Sequence, residues 1–429
     1  MNGNLQDFAE GWAEMAHKWR ECRSEGDPLA SPRPEMLSVE DKLVKVAIQL
    51  LNSEGEEAES LFASARGIRD SRVGAKIDLR AVVDLSNKCR VNCSFCPMRR
   101  DHSHALPTAK ATAEKIVLAS QSAYEKGFRQ LFLQSGEDPT IIRPVGEALR
   151  RINQKNADWH IILNLGNHRL ETYAELKAAG AHGYLIKHET ANAHLHYSTR
   201  GETLVRRVHH MLLARKAGLY IGSGNILGLP GQSDEDLARD LMFLGRINSS
   251  KMASCAPFTP SHDLPSGFQI SQEGTFGKTL RFIALLRHCF PNARIPATSN
   301  LDSPALDKPK ALDKSGQAMA IDAGANGLTV QFTPPDIESN YGLYARGSEK
   351  MEQGYFVRLG KARMVAEQTG LPLDLRQSGL GAQDDAKFSP RTECLLARGA
   401  VAALDRQAPV KRNRIEVTPV LRAERAAVE

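Results

Sequence analysis

Several shortages narrow the reading of this 429-residue chain. No apolar run approaches the roughly 20 residues that a membrane-spanning helix needs, and the mean hydropathy is −0.36. The first residues, MNGNLQDFAEGWAEMAHKWRECRSEG, lack the basic patch, apolar stretch and small-residue cleavage site of a secretory leader, so the cytoplasm is the expected compartment. Cysteines number only seven, an odd count, and three of them fall within eight residues. Such clustering does not make a disulfide framework, and metal ligation in a reducing compartment is the better reading. A strong excess of one charge sign is missing too: the formal net charge is +6, and the stretch 387–429 holds nine Lys/Arg against five Asp/Glu. Most of the excess is therefore read as a solvated, loosely packed terminus rather than a nucleic-acid surface. With 41% apolar and 25% charged residues the rest has the composition of a globular protein, and no solenoid-type repeat is visible.

Apolar positions recur at helical spacing in FAEGWAEMAHKW and MLSVEDKLVKVAIQLL, with SPRP between them, which predicts an N-terminal helical extension over 1–76. From Ile77 the period changes. Eight short β-branched or apolar runs (IDLRAVVDLS, RQLFLQSG, WHIILNLG, HGYLIKHET, YIGSGNILGLPG, KMASCAPF, ARIPATS and NGLTVQFT) alternate with amphipathic helical segments. Alternation of this kind predicts parallel β-α units, and eight of them fit a TIM-type (β/α)8 barrel, closed or nearly closed, over 77–345. The remainder, 346–429, reads as a helix near EKMEQGYFVRLGKARMVAEQ followed by a flexible basic tail.

Directly after the first predicted strand comes Ser86-Asn-Lys-Cys89-Arg-Val-Asn-Cys93-Ser-Phe-Cys96-Pro-Met, at the strand end where a barrel carries its chemistry. Three thiolates on one loop can hold three irons of a cubane 4Fe-4S cluster, whereas an electron-transfer cluster of that type takes four cysteines. The fourth iron is then open, a Lewis-acidic position able to chelate the amino and carboxylate groups of S-adenosylmethionine (SAM). The competing reading is a zinc site completed by His102 or His104.

The loop, with Phe95 before its last cysteine, resembles the signature of radical SAM enzymes. The likeness extends over roughly residues 60 to 345. Segments such as LQSGEDP (133–139), YLIKHETAN (184–192) and GNILGLPGQ (224–232) resemble the biotin synthase-like branch, most of all the FeFe-hydrogenase radical SAM maturases and then the methylornithine synthases. That resemblance implies one 4Fe-4S cluster on Cys89, Cys93 and Cys96. It further implies SAM contacts from Gly136 and Glu137 (methionyl amino group), Glu189 (ribose), Arg207 (carboxylate) and Gly228 with Gly231 (adenosine pocket). A small-molecule substrate and a reductant such as flavodoxin or ferredoxin are its expected partners.

His188, Thr190, Asn225, Thr298 and Gln331 lie near predicted strand ends and are candidate substrate contacts. Cys255, at the end of the sixth strand, is a candidate catalytic thiol. Cys22, Cys289 and Cys394 read as isolated thiols, and the pairs His194/His196 and His209/His210 as solvated. The chain departs from the maturase pattern at Pro97-Met98 and at Asn167-His168, where an acidic residue is usual, and these departures bear on the substrate. Sulfur insertion of the biotin type is the alternative chemistry, and a non-catalytic iron-sulfur scaffold is another.

Overall fold

The computed structural model describes residues 3–27, 33–102, 107–259, 275–308, 313–341 and 355–376. Three helices come first: α1 (Gly3–Ser24), α2 (Pro34–Leu51) and α3 (Gly55–Arg72). Strands and helices then alternate as β1 (Ile77–Asp84), α4 (Ala113–Glu125), β2 (Gln130–Gln134), α5 (Ile142–Lys155), β3 (His160–Asn164), α6 (Leu170–Ala178) and β4 (Gly183–Leu185). After them follow α7 (Ala193–Arg200), α8 (Leu204–Lys216), β5 (Tyr220–Leu227), α9 (Asp234–Arg246), β6 (Ala253–Pro257), α10 (Thr275–Cys289), α11 (Gly316–Asp322) and β7 (Gly327–Gln331). The last elements are α12 (Pro335–Glu338), α13 (Tyr355–Thr369) and β8 (Leu373–Asp374). Among the described residues no helix is long and apolar enough to cross a membrane.

The strands form one parallel sheet in the order β6-β5-β4-β3-β2-β1-β7, with β8 pairing to β1 outside this path. Side chains alternate across it. Ile77, Leu79, Ala81 and Val83 join the large core shared with the helices, while Val82 turns inward to a separate cluster with Phe132, Ile162, Leu185 and Met252. The sheet is thus a partial barrel whose interior is lined by every second residue, the arrangement that parallel strands with two buried faces require.

Seven of the eight predicted strands are ladder strands. The exception is 293–299, which makes only the isolated bridges Met252↔Arg294 and Pro296↔Gly327 between β6 and β7. Pro296 has no N–H to give a ladder, and the Arg294 side chain is turned to the Asp78 carbonyl at 2.9 Å. The sequence signalled no strand at Leu373–Asp374, because its two residues gain their pairing only from β1.

The N-terminal helices cover one outer flank. Trp12 Nε1 donates to the Cys289 carbonyl at 2.9 Å, Trp12 meets Trp19 edge-on at 5.2 Å, and a Cβ at Gly245 would stand 2.2 Å from the Trp19 ring. Leu5 and Val365 belong to the same continuous core, so α1 to α3 and α13 pack on the barrel that they flank. The tail from 377 onward, with Cys394, lies outside the described residues.

Candidate active site

The chain leaves β1 at Asp84 and enters the cysteine loop, which neighbouring elements hold by their backbones. Gly136 N donates to the Ser86 carbonyl (2.9 Å), Arg90 N to the Glu137 carbonyl (3.0 Å), and Ser94 N to the Thr199 carbonyl at the end of α7 (2.7 Å). A Cβ at Gly136 would stand 2.3 Å from the Lys88 carbonyl oxygen, so the turn after β2 must be glycine to come this close. Cys89, Cys93 and Cys96 all line one cavity of about 370 Å³ at the C-terminal ends of the strands.

Polar hydrogens already point at these sulfurs. Glu137 N donates to Cys89 Sγ at 3.3 Å, Arg200 Nη1 to Cys93 Sγ at 3.4 Å, and the Met98 backbone N–H is directed at Cys96. Burial nonetheless pushes the Cys93 thiol up to about 11 and raises Cys89 and Cys96 as well, with the neighbouring thiol Cys93 adding to the rise at Cys96. Free thiolates are thus costly here, and a cationic group bound between them would offset that cost. Among the described residues no three His, Cys, Asp or Glu side chains converge on a single ion. Thiolates that each ligate a different iron of a cubane have no need to converge. The set therefore fits an iron-sulfur cluster better than a mononuclear zinc, and His104 lies outside the described residues.

Beside the loop runs a buried polar network. Glu137 Oε1 accepts from Arg90 Nε and Oε2 from Asn167 N, both at 2.8 Å. Gly166, at φ +86, makes room for this carboxylate, since a Cβ there would stand 2.3 Å from Glu137 Cγ. Asn167 is engaged at each of its polar groups: Oδ1 accepts from Arg207 Nη1 (2.7 Å), Nδ2 donates to Glu202 Oε2 (3.1 Å), and its carbonyl accepts from Arg90 Nη2 (3.0 Å). Arg207 is 4% exposed and its Nε donates to the Lys187 carbonyl at 2.8 Å, so it is no solvated helix residue. Glu189 sits at φ +62, ion-paired with Lys187 at 3.0 Å. Burial alone would raise its pKa, but Lys187, Arg200 and Arg207 outweigh that and hold it below its ordinary value.

Gly136, Glu137, Glu189, Arg207, Cys255 and Thr298 all reach the cavity of the three cysteines. Gly228 does not. It lines a neighbouring cavity of about 270 Å³ with Gly231, and its N–H donates to Gln232 Oε1 at 2.9 Å. His188, Thr190 and Asn225 do not line the cavity of the three cysteines either. His188 and Asn225 face Asp240, with Asn225 Nδ2 donating to Asp240 Oδ2 at 2.8 Å and His188 Nε2 lying 3.4 Å from Oδ1. The buried Asp240 on α9 draws these strand-end polar groups outward. Gln331 is held by Asp84 and Thr333, and burial pushes the Asp84 carboxyl up to about 7 against three hydrogen bonds.

Two histidine expectations are corrected. His196 is fully buried with Nδ1 2.7 Å from the His188 carbonyl, and His210 is half-buried with Nδ1 2.9 Å from the His168 carbonyl. His194 and His209 are exposed. Sequence reasoning missed Lys187, Arg200 and Glu202. Lys187 lies within the YLIKHETAN segment but was not singled out, while Arg200 and Glu202 lie outside the segments that carry the resemblance and join the site through α7 and the turn that follows it.

A strand-end cysteine triad in a parallel partial barrel defines a class, and the family model for the Radical SAM superfamily matches residues 83–244. The chain belongs to that superfamily, whose members are enzymes that bind a 4Fe-4S cluster and SAM. It is 35% identical to the [FeFe] hydrogenase maturase subunit HydE of Thermotoga maritima over 288 residues, 67% of this chain and 79% of that protein. It is 26% identical to the 3-methylornithine synthase of Methanosarcina barkeri, over 73% of this chain and 85% of the relative. Among solved structures, methylornithine synthase (PylB) shares the fold with a TM-score of 0.64 at 23% identity, covering 78% of this chain and 97% of that one. The maturase HydG of Carboxydothermus hydrogenoformans gives 0.61 at 20% identity, covering 87% and 85%.

Proposed function

We propose that this enzyme cleaves SAM reductively and uses the resulting 5'-deoxyadenosyl radical to abstract hydrogen from a small polar substrate, amino-acid-like or a metal-bound ligand, for rearrangement or fragmentation. The observation that carries this reading is the single cavity lined at once by Cys89, Cys93, Cys96, Glu137, Glu189 and Arg207. In this reading the three cysteines ligate one 4Fe-4S cluster, which when bound supplies the electron that breaks a carbon–sulfur bond of SAM.

The chain's own residues bind and orient. Arg207 pairs with the methionyl carboxylate, Gly136 and Glu137 form the turn that receives the amino group, and Glu189 faces the ribose. Gly228 acts indirectly, because Gln232 ties its N–H to the carbonyl of the cavity-lining Ile226 at 2.9 Å. The segment 293–299 bridges β6 and β7 and lends Pro296, Ala297 and Thr298 to the cavity, whose walls in this reading limit the access of water to a reactive radical. Cys255, buried in the middle of β6 rather than at its end, lines this cavity, and in this reading its thiol meets the substrate. We divide the chain into a helical extension (1–76), the barrel (77–345) and a C-terminal helix with basic tail (346–429). Electrons come from a low-potential carrier of the flavodoxin or ferredoxin kind in the cytoplasm. Lys88, Arg90 and Arg100 are exposed on or beside the loop, Arg90 being paired with Glu137 and Arg100 with Asp101, and in this reading these cations meet such an acidic partner.

Sulfur insertion would need a second cluster on thiols inside the barrel. Among the described residues Cys255 is the one cavity-lining cysteine outside the loop. Cys22 and Cys289 are buried in the helical core. The reading is tested by offering reconstituted enzyme a panel of deuterated small amino acids with SAM and reductant. Deuterium in the 5'-deoxyadenosine identifies the substrate, whereas loss of protein sulfide to a product would replace this reading with sulfur insertion.

Arg207→Ala is expected to weaken SAM binding about ten- to hundredfold, on the scale of roughly 1.5–3 kcal/mol for a charge-assisted contact, with iron content retained. Equilibrium binding to the reconstituted protein checks this. An unchanged affinity would make Arg207 a scaffold for Asn167 only.

A further inference from the structure

Arg200 ends α7 with its guanidinium inside the protein, 7% exposed. One edge is ion-paired through Nε with Glu202, and Nη1 donates to Cys93 Sγ at 3.4 Å. The loop is fastened to the same helix end, since Ser94 N and Ser94 Oγ both donate to the Thr199 carbonyl, at 2.7 and 2.9 Å. The helix end that carries Arg200 is therefore tied to the loop that carries Cys93, while Glu202 holds the guanidinium itself. Glu202 is fixed in turn by Asn167 Nδ2 at 3.1 Å, with Arg207 Nη1 at 3.9 Å.

We propose that Arg200 is a positioning residue that tunes the iron-sulfur site: a fixed buried cation hydrogen-bonded to the Cys93 sulfur, which raises the reduction potential of the cluster held there. The proposal rests on the reading of Cys89, Cys93 and Cys96 as cluster ligands. Reduction adds one electron from a low-potential donor and takes up no proton, so the site gains one full negative charge. A neighbouring positive charge in a low-dielectric setting favours the more negative state, and hydrogen bonds to cluster sulfurs act in the same direction. Glu202 partly cancels that effect, because its carboxylate lies against the same guanidinium. Tuning and simple bracing of the loop then make different predictions, since only tuning gives opposite signs when the cation and its counter-anion are neutralised separately.

The test is an EPR-monitored redox titration of anaerobically reconstituted full-length protein without SAM, comparing wild type, Arg200→Gln, Arg200→Lys and Glu202→Gln at matched iron content. At the wild-type midpoint, Arg200→Gln is expected to lower the reduced-to-oxidised ratio about tenfold, equivalent to about 59 mV for one electron. Arg200→Lys, which keeps the charge, is expected to fall less. Glu202→Gln is expected to shift the ratio upward. Equal midpoints in Arg200→Gln and wild type would overturn the proposal. Should Arg200→Gln fail to hold a cluster, the two remaining variants decide: a downward or absent shift in Glu202→Gln overturns it. Failure of the wild type itself to assemble a cluster would instead remove the ligand reading on which it rests.

Discussion

Replacing Cys93 with Ala is expected to abolish both the iron-sulfur chromophore and SAM cleavage, dropping 5'-deoxyadenosine formation at least a thousandfold, to the assay background. The reason is the arrangement of the loop. Each of its three thiols lines the cavity from a different position, and among the described residues Cys255 is the one further cysteine there. It is fixed in β6 by its pairing with Asn225, so it cannot move to replace a missing ligand. A second exposed iron would then be labile. Iron analysis and the visible spectrum after anaerobic reconstitution check this, with about four irons per chain expected for wild type. A Cys93→Ala protein that kept a full chromophore and full cleavage would mean that the loop does not carry the cluster.

Gly136→Val is expected to lose most of the bound iron although it removes no ligand. Its Cβ would stand 2.3 Å from the Lys88 carbonyl oxygen and 3.0 Å from Cys89 Cβ, and the first of these is backbone that cannot swing aside. The turn after β2 and the cysteine loop would have to separate, breaking the Gly136 N to Ser86 carbonyl bond of 2.9 Å. Overpacking of this kind costs about 1–3 kcal/mol, so the barrel survives while the loop is misplaced. Gly146→Ala on α5, where the nearest atom is an Arg150 side-chain nitrogen at 4.0 Å, is the control expected to bind iron normally. Iron content together with thermal unfolding separates the cases, and a Gly136→Val protein with full iron would show that the close approach is not required.

The cysteine loop and seven of the strands were legible because each is a local pattern: a fixed spacing of ligands, or a run whose alternation reports two buried faces. Glu137, Glu189 and Arg207 were legible only through their resemblance to a family. By composition alone Arg207 is one more arginine in LVRRVHH, and nothing local says that it is buried against Asn167. The polar strand-end residues misled for a related reason. A polar residue beside the cavity can turn to substrate or to a partner behind the sheet, and the choice at His188 and Asn225 was made by Asp240, 52 and 15 residues further along the chain. Asn167, read at first as a departure from the maturase pattern, proves to be the hub that joins Glu137, Arg207 and Glu202. An aspartate in its place would lose the Nδ2 donor to Glu202 and set two carboxylates together, so the amide and Glu202 belong together in this chain. Arg200 had no sequence signal at all, since its partner Cys93 lies 107 residues away.

The central claim is most directly tested by quantifying the products of SAM with anaerobically reconstituted wild-type protein and excess dithionite. The account predicts methionine and 5'-deoxyadenosine in equal amounts, formed only in the presence of both the cluster and the reductant. A protein carrying its full complement of about four irons that binds SAM and, once reduced, releases no 5'-deoxyadenosine would contradict it.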